Sequence, residues 1–331
     1  MRIPAHPLHR RDFLRTSAGL AILPAFGAVA PVLPTPRRTS RVALVRTSDR
    51  AHGVSEALKL FAPRGIDGRR VVLKPNFNSA DEAPGSTHND TLSQLVVELR
   101  ERGARSITLG ESSGPPRTRG VMEQKAIFDL ASTLRFGVVD FEALGDDDWD
   151  FFPQGASHWP DGFHIPRMVA SAEYLVTTCC LKTHGYGGVF TMSLKLAVGL
   201  TPKPVRRTMH RSPHMRRMIA ELNAAYAPQL IVLDGVSAFT DGGPSHGTRK
   251  AGNVMLVGDD RIAVDAVGLA VLKELGSNPA IMDRRIFEQE QIARAVELGL
   301  GATSPTEVEI VTGDAASAAY AERLRGILAL G

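Results

Sequence analysis

Lys182, His184 and Lys195 lie within one stretch, "CCLKTHGYGGVFTMSLK", interleaved with glycines at the end of an apolar run. Lysine and histidine placed this way suit two tasks. Protonated, they bind an anion. Desolvated, a lysine loses proton affinity and can act as a base at neutral pH. These three residues are therefore the candidate catalytic groups. Other apolar runs also end in polar groups. One ends in Lys74-Pro75-Asn76, another in Gly110-Glu111-Ser112-Ser113-Gly114, and later ones in Asp234-Gly235 and Asp259-Asp260, with Asp265 following. Lys74, Asn76, Ser112 and Ser113 are candidate substrate-binding groups. The "GESSG" loop is neither a P-loop nor a dinucleotide fingerprint, but it offers backbone N–H groups to an anion at a helix entry. Glu111, Asp234, Asp259 and Asp265 are candidate ligands for a hard divalent cation such as Mg²⁺, which takes oxygen ligands and bridges to anionic substrates. Singly, each is ordinary: a lysine after a strand is usually solvated, and Asp-Gly is most often a turn. Their recurrence at successive run ends is the signal.

Two charge runs flank this set. Residues 201–217 hold six Lys/Arg, His210 and His214, and no acid. Arg207 and Arg211 in that run are candidate clamps for a phosphate or carboxylate. Residues 140–150 hold six acids and no base. A solvated surface is the commoner outcome for either. The two cysteines, Cys179 and Cys180, are adjacent and no C-x-x-C occurs. Neither an iron–sulfur centre nor a zinc–cysteine site is indicated, and both thiols read as small apolar residues of a buried strand.

The elements that must position these groups alternate. Apolar β-branched runs at 41–46, 69–75, 104–114, 136–141, 172–181, 229–235, 253–258 and 306–313 are separated by helical patterns, among them 91–103, 214–227 and 260–276. This pattern predicts an α/β fold, a mainly parallel β-sheet flanked by helices on both faces. In such sheets ligands bind where the loops after the strands converge. The polar run ends then share one edge.

Composition bounds the rest. Hydrophobic residues make up 43% and charged residues 22% of the 331, which argues against disorder. Residues 1–30 begin with Arg10-Arg11 in "RRDFLR", continue through a modest apolar run broken by Pro24, and reach the small residues Ala28-Val29-Ala30. This order resembles a twin-arginine export signal, predicting a periplasmic or otherwise exported protein that meets the twin-arginine export machinery. A leader cleaved at that point would leave no transmembrane span in the mature chain. Residues 31–40 read as a linker and 41–331 as a single domain. Residues 1–40 carry six arginines and one aspartate, so the net +4 of the chain becomes −1 beyond them. Global basicity therefore resides in the leader, and nucleic acid is not an expected partner.

The series "KPN" (74–76), "GESSG" (110–114), "LKTH" (181–184), "SLK" (193–195), "DG" (234–235), "GGPSHG" (242–247) and "GDDRIAVD" (258–265) resembles the domain of unknown function 362 family. The motifs run in family order. The resemblance implies that Lys74, Asn76, Lys182, His184, Lys195, Asp234, Asp259 and Asp265 share a site. It implies no reaction. Several family members carry a fused iron–sulfur cluster domain; with no cysteine cluster here, none is expected. Leu196 stands where the family often has Asn. The expected function is an exported enzyme acting on a small anionic ligand, with a divalent cation as the candidate cofactor. The alternatives are a non-catalytic periplasmic binder of an anion, metal or cofactor, and a cofactor-loaded redox protein.

Overall fold

Among the described residues, short runs rich in β-branched and aromatic side chains form eleven strands: β1 (Ser40–Arg46), β2 (Arg70–Lys74), β3 (Ser106–Glu111), β4 (Gly137–Asp140), β5 (Trp149–Phe152), β6 (Phe163–Pro166), β7 (Tyr174–His184), β8 (Val189–Thr191), β9 (Leu230–Gly242), β10 (Gly247–Gly258) and β11 (Val308–Val311). The structure is a computed structural model and describes residues 39–153, 155 and 157–330. The predicted leader, residues 1–30, lies outside the described residues. Among the described residues no helix is long and apolar enough to cross a membrane.

Nine strands make one sheet in the order β11-β1-β10-β9-β7-β2-β3-β4, with β8 paired to β7; β5 and β6 pair separately. The β11–β1, β9–β7, β7–β2, β2–β3 and β3–β4 pairings are parallel. β10 runs antiparallel to both its neighbours. The fold is thus α/β with a mainly parallel sheet. Side chains alternate between the two faces of the sheet, as the pleat requires. Leu44, Cys179, Leu181, Leu233 and Leu256 pack on one face with the helix Arg261–Glu274. Ala43, Leu73, Val176, Val232 and Val257 pack on the other with the helices Arg50–Phe61 and Asn89–Glu101.

The strand order reverses between β2 and β7. From β2 the chain steps outward through β3 to β4; from β7 it steps the other way through β9 to β10. Loops after β2 and β7 therefore leave on opposite sides and open a crevice between them. Three expectations need correction. Asp234-Gly235 does not end its strand: β9 continues to Gly242, because it pairs on with β10 as a long hairpin. β7 does not stop at residue 181: it continues through Lys182 and His184, because β8 folds back and pairs Lys182 with Thr191 and His184 with Val189. Asp259 does not share the edge of the other run ends. It follows β10, whose antiparallel direction carries its end to the opposite edge, where Asp259 lines a surface cavity of about 950 Å³ with Ser40 and Gln229.

Candidate functional site

Lys74 ends β2, Glu111 ends β3, and Lys182 and His184 end β7, so four of the expected groups converge at the reversal point. Lys195 joins them from the short helix Ser193–Leu196, which follows β8. That helix is held by Asp265: its Oδ1 accepts from the N–H of Ser193 at 2.7 Å and its Oδ2 from that of Leu194 at 2.9 Å. Burial pushes the Asp265 carboxyl up to about 7, and the two amides partly offset this.

The cluster is cationic and dry. Lys74, Lys182, Lys195 and Arg206 are 1%, 0%, 8% and 7% exposed, so solvent screens their charges little. One buried carboxylate, Glu111, sits beside Lys74 and Arg206. Lys74 Nζ lies 2.6 Å from Glu111 Oε1 and donates to the Pro75 carbonyl at 2.7 Å. Glu111 also accepts from the N–H of Ser112 at 2.7 Å and of Phe77 at 2.8 Å. Lys182 is held differently: its Nζ donates to the carbonyls of Gly85 at 2.6 Å and Pro244 at 3.1 Å. Carbonyl dipoles compensate an ammonium less than a carboxylate does, and burial brings Lys182 down to about 8. The Lys195 ammonium makes no hydrogen bond or ion pair among the described residues. Burial, with the charges of Lys182 and Arg206 nearby, brings it down to about 7.

His184 accepts at Nδ1 from the Gly188 N–H at 3.1 Å. Burial, then the charge of Lys195, lowers its pKa strongly, so the ring is neutral with its proton on Nε2. It is placed as a hydrogen-bond donor rather than as the base. Two glycines allow the backbone to approach this closely. A Cβ on Gly188 would come within 2.8 Å of His184 Nδ1 and 2.9 Å of Lys195 Cε. One on Gly199 would come within 2.9 Å of Lys74 Nζ.

Arg206 is the residue that sequence reasoning missed. Its guanidinium donates to the carbonyls of Thr201 at 2.8 Å, Ser113 at 2.5 Å and Ser112 at 3.2 Å, and to Ser112 Oγ at 2.5 Å. It fixes the "GESSG" loop beside Glu111. Arg207 and Arg211 are not part of this cluster. They lie on the exposed side of the same helix, Lys203–Arg211, whose inward positions are Arg206 and Met209. Asn76 donates its backbone N–H to Thr87 Oγ1 at 2.9 Å, while its buried Oδ1 and the Ser113 hydroxyl have no hydrogen-bond partner among the described residues. These are polar atoms for a ligand to satisfy.

The carboxylates proposed for a cation are turned to other partners. Glu111 serves Lys74 and two amides. Asp234 accepts from Arg50 Nε at 2.8 Å, Thr91 Oγ1 at 2.8 Å and the Val236 N–H at 3.1 Å. Asp265 caps the Lys195 helix, and Asp259 is at the far edge. Among the described residues no group of three or more His, Cys, Asp or Glu side chains is arranged to hold a metal ion. The donor set does not fit a divalent cation.

A family model described as "Domain of unknown function (DUF362)" matches residues 71–270, more than half of the chain and the whole lysine cluster. A protein of Synechocystis sp. described as thylakoid-associated is 25% identical over 215 residues, covering 62% of this chain and 64% of its own length. The chain thus spans less than two thirds of that relative. The lactate racemase apoprotein of Thermoanaerobacterium thermosaccharolyticum matches with a TM-score of 0.42 and 15% identity, over 62% of this chain and 52% of that one.

Proposed function

The chain belongs to the DUF362 family, and we propose that its member described here is an exported enzyme that acts on a small anionic substrate at the lysine cluster. One observation carries this reading: Lys74, Lys182, Lys195 and Arg206 are buried near one another, and of the three lysines Lys74 alone is paired with a carboxylate among the described residues, Glu111. An uncompensated buried charge is costly, and an entering anion relieves that cost. Arg206 supplies fixed positive charge, and Lys182, at about 8, adds to it at neutral pH. Lys195, with no fixed partner and a pKa brought to about 7, is matched to proton transfer near neutral pH. The Nε2–H of His184 would donate to negative charge developing on the substrate. No step is assigned to a metal. Export rests on the paired arginines and apolar run of residues 10–30.

The test is a thermal-shift and turnover survey with small carboxylates and phosphates. A true ligand at roughly a hundred times its Kd should raise the melting temperature by about 5 °C or more. Lys195→Met should lose turnover, and Lys195→Arg should keep binding but not turnover. Turnover retained in both variants would overturn the role of Lys195. Binding without turnover in the wild type would favour a binding protein over an enzyme.

A further inference from the structure

The basic run contributes more than Arg206. Arg207 and Arg211 are one helical turn apart on the outer side of the helix Lys203–Arg211. Both line a surface cavity of about 700 Å³, within the range of small-molecule pockets. Neither guanidinium makes a hydrogen bond or ion pair among the described residues. Lys203, one turn before Arg207 on the helix, is already paired with Glu142.

The cavity also carries His158, and this ring is held. Its Nδ1 lies 2.6 Å from Glu221 Oε1, and its backbone N–H donates to Glu221 Oε2 at 2.8 Å. Glu221 is buried and accepts in turn from Arg294 Nε at 3.0 Å. The carboxylate fixes the imidazole and leaves Nε2 as its free edge. Among the described residues no carboxylate lines the cavity, and Pro160, Pro204 and Met218 give it an apolar side.

We propose that this cavity is a second binding site, for a small phosphorylated molecule. Its phosphate sits on Arg207 and Arg211 with His158 completing the shell, and its organic part lies against Pro160, Pro204 and Met218. Two guanidinium forks and an imidazole suit a tetrahedral anion of charge near −2, whereas one carboxylate occupies only a single fork. The cavity is larger than inorganic phosphate needs. The site is separate from the lysine cluster, because Arg206 faces inward where Arg207 and Arg211 face out.

The experiment follows the His158 imidazole by NMR at fixed pH, assigned with His158→Gln, while inorganic phosphate and then glycerol phosphate are added to the full chain. A saturable shift of the His158 signal is expected, with glycerol phosphate binding more tightly than phosphate. Arg207→Gln/Arg211→Gln should weaken binding by about ten- to a hundredfold. Both side chains are exposed, so the variant keeps its fold, which its melting curve verifies. Lys195→Met should leave the titration unchanged. An unmoved His158 signal, or an equal response in the double variant, overturns the site. A response lost in Lys195→Met assigns the anion to the lysine cluster instead. Equal affinity for the two phosphates overturns the ligand class.

Discussion

At Glu111 a single carboxylate faces several cations. It takes Lys74 at 2.6 Å and the amides of Phe77 and Ser112, all out of water. Removing one partner of a buried pair costs about 3–5 kcal/mol, because the other charge is left uncompensated. Glu111→Gln is therefore expected to destabilise the fold by about that much. Adding Lys74→Met should restore part of the loss, since the orphaned ammonium goes with it. Urea unfolding of the two single variants and the double variant measures this coupling. An unchanged midpoint in Glu111→Gln would show that Lys74 is balanced by something else. Lys74, Glu111, Lys182 and Lys195 were legible in the sequence as ionisable groups at the ends of apolar runs. Arg206 was not, because several basic residues share its helix and composition does not say which face is buried. A signal existed: Met209 marks the inward side, and Arg206 is one turn before it.

The short helix Ser193–Leu196 is too small to hold its own position, so the element that fixes Lys195 is the helix Arg261–Glu274 through Asp265. Asp265→Ala strands two buried amides, each worth about 1–3 kcal/mol, so a loss of about 2–6 kcal/mol is expected. Asp265→Asn keeps one acceptor oxygen and should lose less. Beyond unfolding free energy, Asp265→Ala should lose the anion-induced thermal shift, which a merely structural role elsewhere would leave intact. The parallel sheet was legible because strands and helices alternate along the chain. The direction of β10 was not. β9 and β10 form a long hairpin through "GGPSHG", and the run at 253–258 looks the same in either direction. A parallel reading of that run puts Asp259 at the wrong edge. The apolar run 172–181 ends before β7 does, because the last residues of β7 are polar and their ladder partner, β8, is only three residues long.

For the whole molecule, buried lysines set the direction in which stability varies with pH. Lys182 and Lys195 titrate at about 8 and about 7 in the folded chain, against an ordinary 10.5. Between those values the unfolded chain holds more protons, so unfolding free energy rises with pH. The destabilisation is complete below pH 7 and fades as pH climbs toward 10.5. Lys74, also lowered by burial, acts in the same sense. The buried thiols of Cys179 and Cys180, raised above 9, act oppositely but only from about pH 9 upward. His184 acts only below about pH 7, in the lysines' sense, whereas Asp265, itself at about 7, opposes them with an effect that fades by about pH 8. From pH 7 to 9 the lysines therefore outweigh Asp265, most clearly above pH 8. Each contributes at most about 1.4 kcal/mol per pH unit there. Wild-type protein without an anion should become more stable from pH 7 to 9, and Lys195→Met should be more stable than wild type at pH 7 with a shallower slope. A bound anion favours the protonated lysines, so its affinity should rise as pH falls from 9 to 7, with protons taken up on binding. Calorimetry in buffers of different ionisation enthalpy counts those protons. Pairing this with denaturation at pH 7, 8 and 9 decides the matter. Flat stability together with pH-independent anion affinity would mean that the lysines stay charged throughout, and Lys195 would then have no free pair with which to accept a proton.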